Sequence, residues 1–256
     1  MNDRRAQIDR WIEQGAIGEA RSGLSELLSS EGLSNATAAF SVARYEKLRP
    51  HIPLFSYRVA ILRSFTVEPL VPMLRATGFV NGLDLTVQVG EFNAYAQEIF
   101  DGTSALYRFQ PQAVLLAVDT RSVAPELWSE YAELAVDSGA AVVARVSQQY
   151  NDWVRAFRRR SDAHLILNTL APPVLPALGV YDGQSRYGQY QTIEELNRQI
   201  RAIAQDNRGV YVLEYAALVA RHGQENWYDE RKWLSVRLPC AAAQLARLAC
   251  EWLRYL

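Results

Sequence analysis

FSYRVAILRSFT, at residues 55–66, contains an apolar run that passes directly into a short polar loop. Residues 57–62 are mostly apolar and β-prone, which predicts a buried strand. Thr66 is a good N-cap residue, and the sequence after it predicts a helix from Val67. Ser64 therefore stands between the end of a strand and the start of a helix.

Four later segments have the same strand character, and helical patterns separate them. These predicted strands cover residues 83–89, 113–118, 164–167 and 210–213. The segment at 113–118 is uninterrupted apolar sequence, as expected for a strand that is buried on both faces. Five strands that alternate with helices predict an α/β fold with a doubly wound, five-stranded parallel sheet and right-handed crossovers.

The first fifty residues lack strand character and show three apolar stripes at helical spacing. The sequence therefore predicts a helical N-terminal subdomain at residues 1–52 and an α/β domain at residues 53–256. The pattern fits a small subdomain and a surface for a partner equally well.

Composition narrows the functional classes. The 256 residues carry a net charge of −1, so the chain has no basic field for nucleic acid or an anionic membrane. No apolar run reaches the roughly 18 residues that a membrane span needs, and the first residues lack a signal-peptide core. We expect a cytoplasmic protein that binds neither nucleic acid nor membrane.

A closing helix is predicted for residues 241–256, with Cys240 at its N-terminal edge and Cys250 within it. Ten residues of helix place them about 15 Å apart, which is too far for a disulfide. Neither has a second cysteine or a histidine at the spacing of metal ligands. We expect reduced core thiols, no metal and no cofactor.

Ligands of parallel sheets bind outside the carboxyl ends of the strands, so the residues that follow the predicted strands are the candidate site residues. They are Ser64, Gly90, Asn93, Asp119, Arg121, Asn168 and Glu214. Ser64, near the N–H groups of a helix N-terminus, suits a nucleophile or a phosphate site. The alternative interpretation is a loop serine that only satisfies the helix end.

The plan of these residues resembles that of the SGNH (GDSL-like) hydrolases over about residues 55–256. The resemblance implies that Ser64 attacks an ester, and that the N–H groups of Ser64 and Gly90 hold the oxyanion together with an asparagine amide. A DxxH pair near the C-terminus would activate the serine. The resemblance also implies the strand order 2-1-3-4-5, which flavodoxin-like sheets share.

A second resemblance is more specific and spans most of the chain. ILRSFTVEPL at 61–70 and VGEFNAY at 89–95 are similar to the N-terminal region of FkbH-like proteins. Four further segments are similar as well: SALYRFQP at 104–111, LLAVDTR at 115–121, GVYVL at 209–213 and WYDERKW at 227–233.

In FkbH-like proteins an SGNH-like N-terminal domain precedes a HAD-type (subfamily IIIC) phosphatase-like domain. The latter loads a glyceryl unit from a phosphorylated glycerate onto an acyl-carrier protein for polyketide assembly. The resemblance therefore implies a HAD-type domain and an acyl-carrier protein as partners. No Asp-x-Asp-x-Thr string, the nucleophile motif of HAD domains, occurs in this sequence, so the loading chemistry does not transfer to these residues.

The catalytic pattern of the SGNH family is altered at three places. Arg237 and Leu234 stand where the resemblance places the histidine base and its aspartate, and a guanidinium cannot accept a proton at neutral pH. Asp119 replaces the oxyanion asparagine, and Arg63 replaces the glycine before the serine. The chain has three histidines, His51, His164 and His222, and none of them has an aspartate three positions before it.

These changes favour binding over hydrolysis. The expected ligand-binding residues are Gly90, Asn93, Asp119, Arg121, Asn168 and Arg237, with Ser64 as the candidate nucleophile. Their cationic groups suit a phosphate or phosphopantetheine group, unless the arginines only pair with acidic neighbours such as Glu91.

Three hypotheses follow. The first is a non-catalytic module that docks a carrier protein or its phosphopantetheine arm beside a HAD-type partner. The second is an active esterase or acyltransferase that uses Ser64 with an unconventional base. The third is a purely structural interaction domain that uses the N-terminal helices as its contact surface.

Overall fold

A computed structural model describes residues 2–131 and 138–256 of the chain. The strands are β1 (Phe55–Arg63), β2 (Leu83–Val89), β3 (Ala113–Ala117), β4 (His164–Asn168) and β5 (Val210–Leu213). The α-helices of the described residues are α1 (Asn2–Glu13), α2 (Ile17–Glu31), α3 (Asn35–Leu48), α4 (Leu70–Val80), α5 (Tyr95–Phe100), α6 (Ala105–Phe109), α7 (Thr120–Val123), α8 (Ser138–Arg158), α9 (Gln189–Gln205), α10 (Tyr215–His222), α11 (Gln224–Trp227), α12 (Glu230–Val236) and α13 (Leu245–Leu253).

The strands form one parallel sheet in the order β2-β1-β3-β4-β5. In its centre Leu115 pairs with Ile166, and Ile166 pairs with Tyr211 on the next strand. Every residue of β3 is buried, as the unbroken apolar run predicts for a central strand. The predicted α/β class, the five parallel strands and their order are confirmed.

Contacts divide the chain into two compact units. The first comprises Met1–Val59, Val67–Val87 and Ala242–Leu256, and the second comprises Ala60–Thr66 and Gln88–Ala241. The three helices predicted for the N-terminal residues are present, and they pack in the first unit around a core that includes Leu24, Tyr45 and Phe79. The division between independent domains after residue 52 stays a prediction.

A buried core of the second unit covers one face of the central strands, because alternate residues of each strand contribute to it. Val114 and Leu116 of β3 and Leu165 and Leu167 of β4 belong to one buried cluster. Helices α8 and α9 pack against each other, and both contribute buried side chains to this cluster. Three residues of the candidate site, at positions 119, 168 and 214, directly follow or end strands that this core holds in place.

The helix after Ser64 begins later than predicted. It starts at Leu70 instead of Val67, and Pro69 occupies its N-cap position. Thr66 does not cap it, because the Thr66 N–H donates to the carbonyl of Arg237 at 2.9 Å and its hydroxyl donates to the carbonyl of Val236. Partners distant in sequence therefore take the groups that a local cap would use.

The prediction for the C-terminus is wrong in part. The last helix is shorter than residues 241–256, since the Ala241 N–H donates to the carbonyl of Trp227 at 2.7 Å and a 3-10 turn follows. Cys240 therefore lies outside the helix. It is buried and free, and burial raises the pKa of its thiol to about 12. Cys250 is free but exposed, so it is not a core thiol.

A buried amide fixes the loop that leaves the carboxyl end of β4. The Asn197 side chain accepts a hydrogen bond from the Leu170 N–H at 2.6 Å and donates to the Leu170 carbonyl at 2.8 Å. Both residues are buried, so each of these backbone groups would otherwise lack a partner in the protein interior. The side chain of Asn197 thus replaces a neighbouring strand.

Replacement of Asn197 tests how much its two hydrogen bonds contribute to the free energy of unfolding. Asn197→Ala is expected to lower the free energy of unfolding by about 2–4 kcal/mol, because it removes two buried hydrogen bonds and leaves both Leu170 groups unpaired. Urea unfolding measures the change. Gln199→Ala is the matched control, since the Gln199 amide bonds to Glu195 on the same helix, and its cost should stay within about 0.5 kcal/mol. An equal loss of unfolding free energy in the two variants would show that the hydrogen bonds of Asn197 do not stabilise the fold more than an exposed amide does.

Candidate functional site

Ser64 is buried in the bend that directly follows β1. Its side chain and backbone are 1% exposed. The Ser64 N–H donates to the carbonyl of Ala117 at 3.0 Å, which continues the hydrogen bonding between β1 and β3. The Ser64 hydroxyl accepts a hydrogen bond from the Asp119 N–H at 2.9 Å. The loops that follow β1 and β3 are therefore joined at this serine.

Gly90 follows β2 at the same edge of the sheet. Its N–H donates to the carbonyl of Ile61 at 2.9 Å. A Cβ atom at this position would lie 2.5 Å from Glu98 Oε1, so a larger residue here would require the Glu98 carboxylate to move. Glu98 Oε1 accepts a hydrogen bond from the Glu91 N–H at 3.1 Å, and burial raises the pKa of Glu98.

The backbone groups that an oxyanion would need are thus already engaged. The resemblance implied that the N–H groups of Ser64 and Gly90 would face a reacting carbonyl. Both donate within the sheet instead, and the Asp119 N–H is directed at the serine itself. An oxyanion hole requires donors aimed at the position where charge develops, and these three groups point elsewhere.

Asp119 is buried and acts as a helix cap. Its carboxylate accepts a hydrogen bond from the Arg121 N–H at 2.9 Å at the start of α7. Burial raises the pKa of Asp119, and the guanidinium of Arg121, with its Nε 3.9 Å from Oδ1, acts in the opposite direction. The carboxylate that replaces the oxyanion asparagine of the SGNH pattern is therefore used to cap a helix.

Arg121 is the most enclosed cation of the site, with a side chain that is 7% exposed. The central carbon of its guanidinium lies 4.3 Å from the ring centroid of Trp128 and 4.4 Å from that of Trp233, with Tyr228 at 5.2 Å. Glu230 closes the arrangement, because its Oε1 accepts a hydrogen bond from Nη2 at 2.8 Å. We call these five residues the Arg121 cage.

The interior of the Arg121 cage is polar. Within the described residues, Arg121 Nε and the Tyr228 hydroxyl are buried without a hydrogen-bond partner. Burial raises the pKa of Tyr228 well above its usual value, with a further contribution from the nearby Asp119 carboxylate. The Arg121 cage thus combines an enclosed cation with two buried polar atoms that lack a hydrogen-bond partner among the described residues.

Arg63 ties the loop after β2 to the end of β1. Its Nε donates to the carbonyl of Gly90 at 3.0 Å, and its guanidinium lies 5.8 Å from the ring centroid of Phe92. The Asn93 N–H donates to the carbonyl of Arg63 at 3.1 Å, with Asn93 in the left-handed region at φ 59°. The arginine that replaces the family's glycine therefore spans the surface between two candidate site residues.

Arg237 lies next to the loop of Ser64, as its place in the resemblance suggests. Its carbonyl accepts the hydrogen bond from the Thr66 N–H, and its exposed guanidinium lies 5.6 Å from the ring centroid of Trp233. Leu234, at the position of the family's aspartate, is also exposed. The segment that would supply an acid and a base therefore presents an arginine and a leucine.

The remaining polar candidates lie apart from this cluster. Asn168 is buried as the last residue of β4. His164 begins β4 at the opposite edge of the sheet and packs against Tyr211, with ring centroids 5.3 Å apart. His222 ends α10 and stacks on Trp227 at 6.0 Å. His51 lies in a 3-10 turn of the other compact unit.

Sequence reasoning missed four members of the Arg121 cage. Trp128, Tyr228, Glu230 and Trp233 come from two segments about a hundred positions apart, and only the fold brings them to Arg121. The second segment is held in place locally, since Asp229 caps α12 and Glu230 bonds to Arg121. The aromatic spacing in WYDERKW at 227–233 was the available signal.

Residues 58–253 match the family model described as the FkbH N-terminal domain. The chain belongs to the FkbH N-terminal domain family. No curated protein matches the sequence. The Ser64 loop and the Arg121 cage both lie within the residues that match the FkbH domain model.

Three solved structures show what this FkbH domain resembles in fold. The N-terminal part of the protein BF1531 from Bacteroides fragilis, which contains a phosphatase domain, has a TM-score of 0.65 at 16% identity over 78% of this chain and 51% of that one. The lipase Lip_vut3 from a goat rumen metagenome has a TM-score of 0.54 at 11% identity over 78% and 97%. The acetylxylan esterase Axe2 from Geobacillus stearothermophilus has a TM-score of 0.50 at 12% identity over 80% and 96%.

Likenesses at these identities show the fold alone. The chain spans about half the length of the Bacteroides fragilis structure. Across the described ranges, no group of three His, Cys, Asp or Glu side chains is placed to hold a metal ion. In the same ranges, no helix has the length and apolar character needed to cross a membrane.

The burial of Asp119 predicts a pH-dependent stability. The pKa of Asp119 is raised in the folded FkbH domain. The stability that depends on its protonated carboxyl is therefore fully present below pH 3.8 and is lost as the pH rises through the pKa of the folded state. Asp119→Asn keeps an effective cap and removes this loss. The variant is therefore expected to gain stability over the native protein as the pH rises above about 4.

Chemical unfolding at a series of pH values measures this gain. Asp162→Asn, which removes an exposed carboxylate of the same unit, controls for the loss of one negative charge. A stability difference between Asp119→Asn and the native protein that stays constant from pH 4 to pH 8 would contradict the raised pKa.

Proposed function

We propose that this FkbH N-terminal domain is a non-catalytic SGNH-like module that binds the phosphopantetheine arm of an acyl-carrier protein. It would present the arm to a HAD-type phosphatase-like domain during the loading of an acyl or glyceryl unit. The Arg121 cage is the observation that carries the proposal, because it places a nearly buried cation at the carboxyl edge of the sheet, where ligands of such folds bind.

An anionic ligand fits the Arg121 cage better than a neutral ester does. A guanidinium offers a planar fork of N–H donors that matches the oxygens of a phosphate, and two indole rings hold the fork in one orientation. Arg237 adds an exposed positive charge at the same edge. The pantetheine chain beyond the phosphate is neutral and narrow, and Trp233 offers it a half-buried aromatic surface.

Hydrolysis by Ser64 has less support. The serine is buried, its backbone N–H is used within the sheet, and its hydroxyl already accepts the Asp119 N–H. Arg237 occupies the segment where the family's base would stand, and its guanidinium stays protonated at neutral pH. A nucleophile needs an adjacent base and a free approach, and these features provide neither.

The proposed partner domain is inferred from the domain composition of a similar protein. The similar Bacteroides fragilis structure contains a phosphatase domain in the same protein. A phosphatase-like domain that acts on a carrier-bound group needs the arm delivered to it. A neighbouring module with a phosphate-binding cleft would supply that delivery without chemistry of its own.

Calorimetry with a bacterial acyl-carrier protein in its apo and holo forms tests the proposal. The holo form is expected to bind at least about tenfold more tightly than the apo form, because a charge-assisted hydrogen bond is worth roughly 1.5–3 kcal/mol. Arg121→Gln should remove most of this difference. Ser64→Ala, with its fold checked by circular dichroism, should leave it unchanged.

A fluorophosphonate probe provides the complementary measurement. The native protein should stay unlabelled at Ser64. Covalent labelling that Ser64→Ala abolishes would show an active serine hydrolase or acyltransferase instead. Equal binding of the apo and holo carrier proteins, or no binding of either, would leave the purely structural interaction domain.

A further inference from the structure

We infer that Glu230 is a built-in competitor that occupies the phosphate position on Arg121 until a ligand displaces it. The inference rests on the proposed function and names the group that the ligand must replace. In the structure Nη2 of Arg121 lies 2.8 Å from Glu230 Oε1, and Nη1 lies 3.4 Å from Oε2. One carboxylate thus covers the two donors that a phosphate would use.

The two partners of this ion pair differ sharply in burial. The side chain of Arg121 is 7% exposed, whereas that of Glu230 is 61% exposed. Rotation of the glutamate into water costs little, because its carboxylate is already largely hydrated. The arginine has no comparable freedom, since it is enclosed by protein. An incoming anion therefore meets a fixed cation and a mobile carboxylate.

The Arg121 cage does not depend on Glu230 for its shape. The guanidinium lies between Trp128 and Trp233, and its Nε faces Asp119 at 3.9 Å. Helix α12, which carries both Glu230 and Trp233, is capped by the Asp229 side chain. Departure of the glutamate side chain therefore leaves the cation, its aromatic neighbours and the helix in position.

The unpaired donors indicate that the enclosed position suits an acceptor with more oxygens than a carboxylate has. Glu230 satisfies the outer two nitrogens of Arg121, while Nε and the Tyr228 hydroxyl remain without a hydrogen-bond partner among the described residues. A phosphate has two more oxygens than a carboxylate, and both of these groups can donate a hydrogen bond to such an acceptor. The shared chemistry of the ligand is thus a phosphate ester or inorganic phosphate.

Removal of the competing charge is the direct test. Glu230→Gln keeps an oxygen that can accept from Arg121 but lacks the negative charge. By calorimetry on the full chain it is expected to bind 4′-phosphopantetheine and inorganic phosphate about twofold to fivefold more tightly than the native protein does, and to bind pantetheine no better. Glu225→Gln, an exposed glutamate on α11, is the matched control and should change nothing.

A double variant locates the effect. In Arg121→Gln with Glu230→Gln the gain should disappear, because the competitor and the phosphate share one cation. Indole fluorescence provides a second readout, since Trp128 and Trp233 flank the guanidinium that changes its partner.

The outcomes separate this inference from the proposed function. If Glu230→Gln binds phosphate compounds no better or more weakly while the holo carrier protein is still preferred by the native protein, Glu230 is a support and the inference is wrong. If no variant binds any phosphate compound, the inference and the proposed function both fail. If Glu230→Gln raises the affinity for inorganic phosphate and for phosphopantetheine equally, and both bind equally well, Glu230 is a competitor. The assignment of the ligand to a carrier-protein arm is then wrong.

Discussion

Two hydrogen bonds at Ser64 join the loops after β1 and β3, and the rest of the candidate site depends on them. The serine N–H reaches the carbonyl of Ala117, and the serine hydroxyl receives the N–H of Asp119. Together they fix where the chain leaves each strand and hence where Asp119 can cap α7. They also engage the Ser64 hydroxyl and the Ser64 N–H, which are two of the groups that ester hydrolysis on this fold would need.

The position of Asp119 in turn sets the position of Arg121. A buried carboxylate that caps a helix two residues ahead holds the backbone of Arg121, and the side chain then enters the space between Trp128 and Trp233. A cation in such a low-dielectric environment interacts more strongly with an anion than an exposed one does. The carboxyl edge of this sheet thus carries an enclosed cation.

Much of the fold could be predicted from local sequence pattern. The unbroken apolar run of β3 indicates a central parallel strand, and the alternation of strands with helices indicates the doubly wound sheet. Ser64, Gly90 and Asp119 also follow their strands as predicted, because the end of an apolar run is visible in the sequence.

What could not be predicted depends on contacts between distant segments. Thr66 has the composition of a helix cap, yet its N–H and hydroxyl bind the carbonyls of Arg237 and Val236, so the helix starts at Leu70. The Arg121 cage unites residues about a hundred positions apart, and no periodicity connects them. The engagement of the Gly90 N–H by Ile61 is likewise a property of strand pairing and not of composition.

A crystal structure of the protein with 4′-phosphopantetheine would locate the bound phosphate. We expect phosphate oxygens about 3 Å from the terminal nitrogens of Arg121, with the Glu230 carboxylate turned into solvent and with Ser64 unmodified and still bonded to the Asp119 N–H. A covalent adduct on the Ser64 hydroxyl, or a phosphate bound elsewhere with the Arg121 pair to Glu230 intact, would contradict it.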